Sequence, residues 1–178
     1  MQRIAIPVDK FQSQNYTLFS EKWFLLTGGD YQKHHFNTMT IEWGSIGKIW
    51  RQPLVQVFVR PSRYTYQFME QYHTFTLSSF PRQYKDALLL LGTKSGRDGD
   101  KIAEAGLTPE AASRVAAPVF AQAELTIECV KIYWDDIVPA QMVDEEAFNR
   151  YGNLPDPHRV YFGKIVAIYG THQYQSAT

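Results

Sequence analysis

Cations, glycine and hydroxyl side chains are concentrated in two short stretches of this 178-residue chain, and both combinations suit a phosphate group. In Arg60-Pro61-Ser62-Arg63-Tyr64-Thr65, two guanidinium groups and two small hydroxyls fall beside an expected helix start. A helix start offers free amides and a partial positive charge, and arginine grips phosphate oxygens two at a time. In Lys94-Ser95-Gly96-Arg97, with Lys101 just beyond, a glycine lets the backbone come close while cations compensate the charge. The glycine spacing is not that of the nucleotide-triphosphate loop. A third stretch, Asn37-Thr38-Met39-Thr40-Ile41-Glu42-Trp43-Gly44, alternates hydroxyl and apolar residues. On a strand, Thr38 and Thr40 share one face and Met39 and Ile41 the other. Such a strand offers hydroxyls and backbone amides to a planar polar ligand while its apolar face holds a core. Solvated loops with surface cations are the plain alternative for the two basic stretches. Their joint occurrence in a chain of zero net charge favours a phosphate site.

The elements that must position these residues are mostly strands. Strands are expected at residues 21–27, 34–41, 52–60, 73–80, 123–134 and 159–169, with Gly28-Gly29-Asp30 and the segment from Gly44 to Gly47 as turns. Within 52–60, Val55, Val57 and Val59 share one face, and Pro61 ends the strand because it has no amide to donate. Short helices are expected at 66–72 and 84–91, the second closed by Gly92, with a helical turn at 102–105 and another helix starting at Thr108-Pro109-Glu110. Residues 1–20 read as irregular, 135–157 as loop and short helix, and 173–178 as a fraying end. No regular strand-helix-strand alternation occurs and several connections are too short for parallel crossovers, so the expectation is one mainly β, antiparallel barrel with short helices.

Composition excludes several classes. A hydrophobic content of 44% with 15% aromatics favours a globular core over disorder. Eighteen basic residues balance eighteen acidic ones, which argues against a dedicated nucleic-acid binder. The greasy run from Ala87 to Leu91 is far short of the roughly 20 residues of a membrane span. The start of the chain lacks a signal-peptide pattern, and the lone Cys129 fits a reducing compartment, so a cytoplasmic, membrane-free protein is expected. Cys129 itself reads as a core residue. His34 and His35 would point to opposite faces of a strand, a poor start for a metal site. No nucleophile-base-acid set and no Gly-x-Ser-x-Gly elbow is visible, so any chemistry falls to a cofactor.

Taken together, Asn37-x-Met39-Thr40-Ile41-x-Trp43-Gly44, Val59-Arg60-Pro61-Ser62-Arg63-Tyr64-Thr65 and Ser95-Gly96-Arg97-Asp98-x-Asp100-Lys101 resemble the flavin reductase-like, flavoredoxin-type FMN-binding split-barrel family. The resemblance covers roughly residues 20 to 170 in order. It implies a six-stranded antiparallel split barrel of Greek-key type that forms a homodimer with FMN near the subunit interface. Asn37, Thr38, Met39 and Thr40 would then line the isoalloxazine and ribityl portion, with Trp43 beside the ring. Arg60, Ser62, Arg63, Tyr64 and Thr65 would cradle the phosphate region, and Lys94, Ser95, Gly96, Arg97 and Lys101 would close over the cofactor. The implied chemistry is hydride transfer from NAD(P)H to flavin N5, then delivery of electrons to free flavin or to a redox partner protein. A flavoredoxin-like electron carrier without its own nicotinamide oxidation is the alternative, since no dinucleotide-binding glycine fingerprint is present. A related split barrel holding pyridoxal phosphate or haem is a third reading. Glu42 stands where a small residue is common in the family, and residues 134–158 match no motif.

Overall fold

The computed structural model describes residues 2–176. Every pairing in its main sheet is antiparallel. The strands are β1 (Ile4–Ala5), β2 (Phe24–Asp30), β3 (His35–Ile41), β4 (Gly44–Ile49), β5 (Gln52–Val59), β6 (Thr74–Ser79), β7 (Pro109–Glu110), β8 (Val119–Phe120), β9 (Leu125–Asp136) and β10 (Arg159–Gly170). The sheet runs β3-β2-β6-β9-β10-β5-β4, with β1 joined to β10, and β7 pairs with β8 apart from it. The two ends of this path, β3 and β4, are consecutive in the chain and separated only by Glu42 and Trp43, yet they do not pair. That gap is the split in the barrel.

The sheet curls because its apolar faces have one place to go. Phe24 and Leu26 of β2, Met39 and Ile41 of β3, Val55, Val57 and Val59 of β5, Phe75 and Leu77 of β6, Ile127 and Cys129 of β9, and Tyr161 and Ile165 of β10 form one buried cluster. Side chains alternate along each strand, so every strand reaches this core with one face. A smaller cluster outside the sheet joins Leu25, Leu88, Leu91 and Phe120. It seats helix α2 (Lys85–Thr93), while α1 (Tyr64–Gln71) lies against β2 and β3. A short helical turn, α3, covers Lys101–Glu104.

All six expected strands are present, and the sheet gains β1 and β4. Gly44 to Gly47, expected as a turn, instead belong to β4, which returns to β5 through Trp50 and Arg51, whose φ values are 48° and 60°. Side chains other than glycine fill that left-handed turn, so the usual hairpin signal is missing. Gly28-Gly29-Asp30, also expected as a turn, stays inside β2, where a Cβ on Gly28 would sit 3.2 Å from Met69 Sδ. Its glycines admit α1 rather than bend the chain. Pro109–Glu110 forms β7 instead of starting a helix. The loop after it is held by Glu128, a buried carboxylate that accepts hydrogen bonds from the Ser113 and Arg114 amides at 2.9 and 2.7 Å. The end of the chain is ordered through Ser176, whose amide bonds to Lys10. The expectation of fraying at Ala177 and Thr178 lies outside the described residues. Cys129 is fully buried in the core.

Candidate functional site

At the split, the edge of β3, the β5–α1 connection and the α2–α3 loop converge on two adjoining cavities. The wider, about 440 Å³, is lined by Trp23, Met39, Thr40, Ile41, Glu42, Trp43, Phe58, Arg60, Ser62, Arg63, Leu88, Leu89, Gly92, Thr93 and His158. The narrower, about 130 Å³, is lined by Asn37, Met39, Ser62, Arg63, Tyr64, Thr65, Leu91, Gly92, Thr93, Lys94, Ser95, Gly96, Arg97 and Lys101. Met39, Ser62, Arg63, Gly92 and Thr93 border both, so the two form one cleft with a broad apolar end and a narrow cationic end. All the sequence-derived candidates except Thr38 line it. Thr38 is on the face expected for it, but its hydroxyl is sealed under the sheet, paired with Thr27 Oγ1 at 2.9 Å and the Leu26 carbonyl at 3.1 Å.

The narrow end is built on main chain. Helix α1 begins after Arg63, and no side chain caps it. Its first amides therefore carry the donor surplus of a helix start toward the cavity that Tyr64 and Thr65 line. The hydroxyls of Ser62 and Thr65, the obvious capping groups, do not serve as caps. Thr65 Oγ1 instead accepts from Asn37 Nδ2 at 2.8 Å, which ties β3 to the helix. Gly96 closes the other wall, where a Cβ would lie 2.8 Å from Tyr64 Cδ1 and nearer still to Asn37 Oδ1. Only glycine permits that approach. Arg97 lies over the Tyr64 ring at 4.8 Å, and Ser95 accepts the Arg97 amide through its hydroxyl.

The cations differ in how free they are. Arg63 donates from Nη2 to the Gly92 carbonyl at 2.9 Å. Lys94 is paired with Glu104. Lys101 is 4% exposed and donates to the Leu91 and Lys94 carbonyls at 2.9 and 3.0 Å. Burial, then the nearby Arg63, lowers its pKa to about 8. It is a buried cation with two carbonyls and no carboxylate, which leaves its charge available to an anion beside it. Arg60 is committed elsewhere: its guanidinium holds Asp156, and the same carboxylate accepts the Ser62 amide at 3.3 Å. These bonds hold Asp156 down to about 2.

Asp156 and His158 went unnoticed in the sequence because residues 134–158 carry no periodic pattern. A Pro-bracketed Asp-Pro-His next to a strand start was their only trace. His158 lies 4.9 Å from the Trp43 ring, and Tyr151 meets that ring edge-on at 5.0 Å. Burial first, then the charge of Arg60, keeps the His158 imidazole below its ordinary pKa. It is thus neutral near pH 7 and able to donate at one nitrogen and accept at the other. Trp23, also missed, borders the broad end from the start of β2. Among the described residues no group of His, Cys, Asp and Glu side chains could hold a metal ion, and no helix is long and apolar enough to cross a membrane.

Comparison with solved structures finds the same fold repeatedly. Flavoredoxin of Desulfovibrio vulgaris (Miyazaki F) is 25% identical, with 85% of this chain and 70% of that one covered at a TM-score of 0.65. An FMN-binding domain of a flavin reductases-like enzyme from Shewanella baltica OS155 is 16% identical over 97% of this chain and 78% of that one, with a TM-score of 0.68. An NADH:FAD oxidoreductase of Streptomyces globisporus C-1027 is 14% identical over 86% and 78%, with a TM-score of 0.65. Comparison with curated proteins gave no match. The family described as the flavin reductase like domain matches residues 18–176, nearly the whole chain, and to that family this protein belongs.

Proposed function

We propose that this protein is an FMN-binding flavoprotein of the NAD(P)H-dependent flavin reductase type, acting in the cytoplasm as a homodimer with the flavin near the subunit contact. The observation that carries the reading is the composite cleft. Its narrow end offers Arg63, Arg97, Lys101 and an uncapped helix start, with no carboxylate among the lining residues. Its broad end offers Met39, Ile41, Trp43 and Phe58 to a flat ring. A phosphate, a polyol and a ring system fit such a cleft in that order. Bound there, FMN supplies a ring that takes up a hydride and passes electrons on.

The chain's own residues do the rest. Arg63, Arg97, Lys101 and the first amides of α1 hold the phosphate, and Asn37 and Ser62 border the polyol. Met39, Thr40 and Trp43 border the ring. Arg60, by gripping Asp156, keeps residues 151–158 against Trp43 and so shapes the side from which a co-substrate arrives. His158 stays neutral there and exchanges a hydrogen bond with whatever enters. Air-free titration tests the assignment: FMN should stay with the protein through gel filtration, and NADH or NADPH should bleach its absorption. A protein that ignores FMN overturns the cofactor assignment. The 25% identity to a flavoredoxin favours a second reading, an electron carrier serving a redox partner protein. Bound flavin that neither nicotinamide bleaches, but dithionite does, selects that reading.

A further inference from the structure

Among the described residues, Trp23 combines a positive φ with a buried side-chain donor that has no partner. It precedes β2 with φ 66° and ψ 163°, a region of backbone space that is almost reserved for glycine. Its indole Nε1 is buried from solvent and has no hydrogen-bond acceptor. The Lys85 ammonium stands 3.0 Å from the centre of its ring, and burial lowers the pKa of that lysine. The ring also rests on the small cluster under α2 and borders the broad end of the cleft. A strained backbone and an unanswered buried donor are both unfavourable, and such costs persist where a ligand uses them. Packing alone would be served by a phenylalanine or leucine on an unstrained backbone.

We propose that Trp23 is a ring-binding residue of the cleft, whose indole turns on ligand entry so that Nε1–H donates to a carbonyl at the edge of a planar heteroaromatic ring. This inference rests on the cofactor reading above. The chemistry is shared by two sources, the flavin ring and the amide-bearing nicotinamide, each flat enough for the broad apolar end. The indole lies at the broad end, away from Lys101 and Gly96, so its contact is with a ring and not with a phosphate.

The test compares wild type with Trp23→Phe, which keeps a ring and deletes the donor, titrating FMN and riboflavin separately. If the flavin is the partner, both affinities fall about tenfold and by the same factor, because the phosphate is not involved. If the nicotinamide is the partner, flavin binding is unchanged and reduced nicotinamide mononucleotide binds about tenfold more weakly to the FMN-loaded variant. Either result supports the inference, and unchanged affinity for all three ligands overturns it. A wild-type chain without FMN affinity overturns the cofactor reading instead. Should Trp23→Phe fail to fold, the wild-type indole ¹⁵N–¹H resonances decide. Replacing Trp43, Trp50 and Trp134 one at a time identifies the Trp23 signal, which should move downfield on ligand addition. A signal that stays in place overturns the inference.

Discussion

A single methyl group at position 96 tests whether the narrow end of the cleft works as a cradle. In Gly96→Ala the new carbon would meet Tyr64 Cδ1 at 2.8 Å and Asn37 Oδ1 at a still shorter separation. Neither neighbour can retreat cheaply. Asn37 is 4% exposed and bonded to Thr65, and Tyr64 is fixed at the head of α1 with Arg97 over its ring. The loop itself must therefore withdraw, by on the order of 1 Å, in a structure packed as densely as protein interiors are. That shift carries Ser95 and Arg97 away from the helix start. A charge-assisted hydrogen bond lost at this distance is worth about 1.5–3 kcal/mol, or roughly ten- to a hundredfold in affinity. Isothermal titration with FMN reads the change directly, and riboflavin, which has no phosphate, is the control. FMN affinity should fall by that factor while riboflavin affinity holds. Thermal stability should change little, because the strained contacts involve one peripheral loop. If the variant binds FMN as wild type does, with an unaltered melting curve, the cradle assignment of residues 95–97 is wrong.

If Lys101 holds the FMN phosphate as proposed, FMN binding should depend on pH. Its folded pKa of about 8 lies below its ordinary value of 10.5, so between those limits the unfolded chain holds a proton that the folded chain has released. The ligand-free protein should therefore gain stability as pH rises through that window, whereas FMN affinity, which needs the cation, should fall above pH 8. Lys101→Arg should abolish the fall, and calorimetric titrations at pH 7 and 9.5 check both statements. Asp156 works in the opposite sense: its pKa is depressed to about 2, so its contribution is present above about pH 4 and fades as pH drops toward 2. Asp156→Asn should flatten the acid limb of the stability profile followed by circular dichroism, and should loosen the His158 segment. Cys129, fully buried and with its thiol pushed up by burial, should not react with a thiol reagent in the native protein and should react at once in denaturant. Rapid native labelling would contradict its placement in the core.

What the sequence disclosed follows from which signals are local. Val55, Val57 and Val59 announce their strand because alternation is written into adjacent residues, and all three are fully buried as that pattern requires. Strand β4 gave no such notice. Its residues alternate weakly, and its turn is made by Trp50 and Arg51 where asparagine and glycine are usual. The failed helix at Thr108-Pro109 has the same origin. A cap-then-proline pattern is a local preference, and Glu128, buried on a distant strand, outweighed it by claiming the amides of Ser113 and Arg114. The cationic residues of the cleft were legible because charge and glycine are unusual in combination. Their division of labour was not, since Arg60 and Arg63 look alike until Asp156 arrives from almost a hundred residues away.

That division of labour ties the broad end of the cleft to the narrow one. Arg60 and the Ser62 amide sit where the β5–α1 connection turns toward the narrow cationic end, yet both are answered by Asp156. The same segment places His158 and Tyr151 against Trp43, which lies in the two-residue gap between the unpaired strands β3 and β4. A barrel closed by a β3–β4 pairing would have no room for Trp43 or for the cavity beside it. Leaving those two edges unpaired is costly in itself, because bare strand edges invite other chains. The chain meets that cost on the β3 side with α2, whose Leu88 carbonyl accepts the Thr40 hydroxyl. The split therefore opens onto the candidate site, and Tyr151 and His158, which pack against Trp43 there, come from a segment of the sequence that matches no motif.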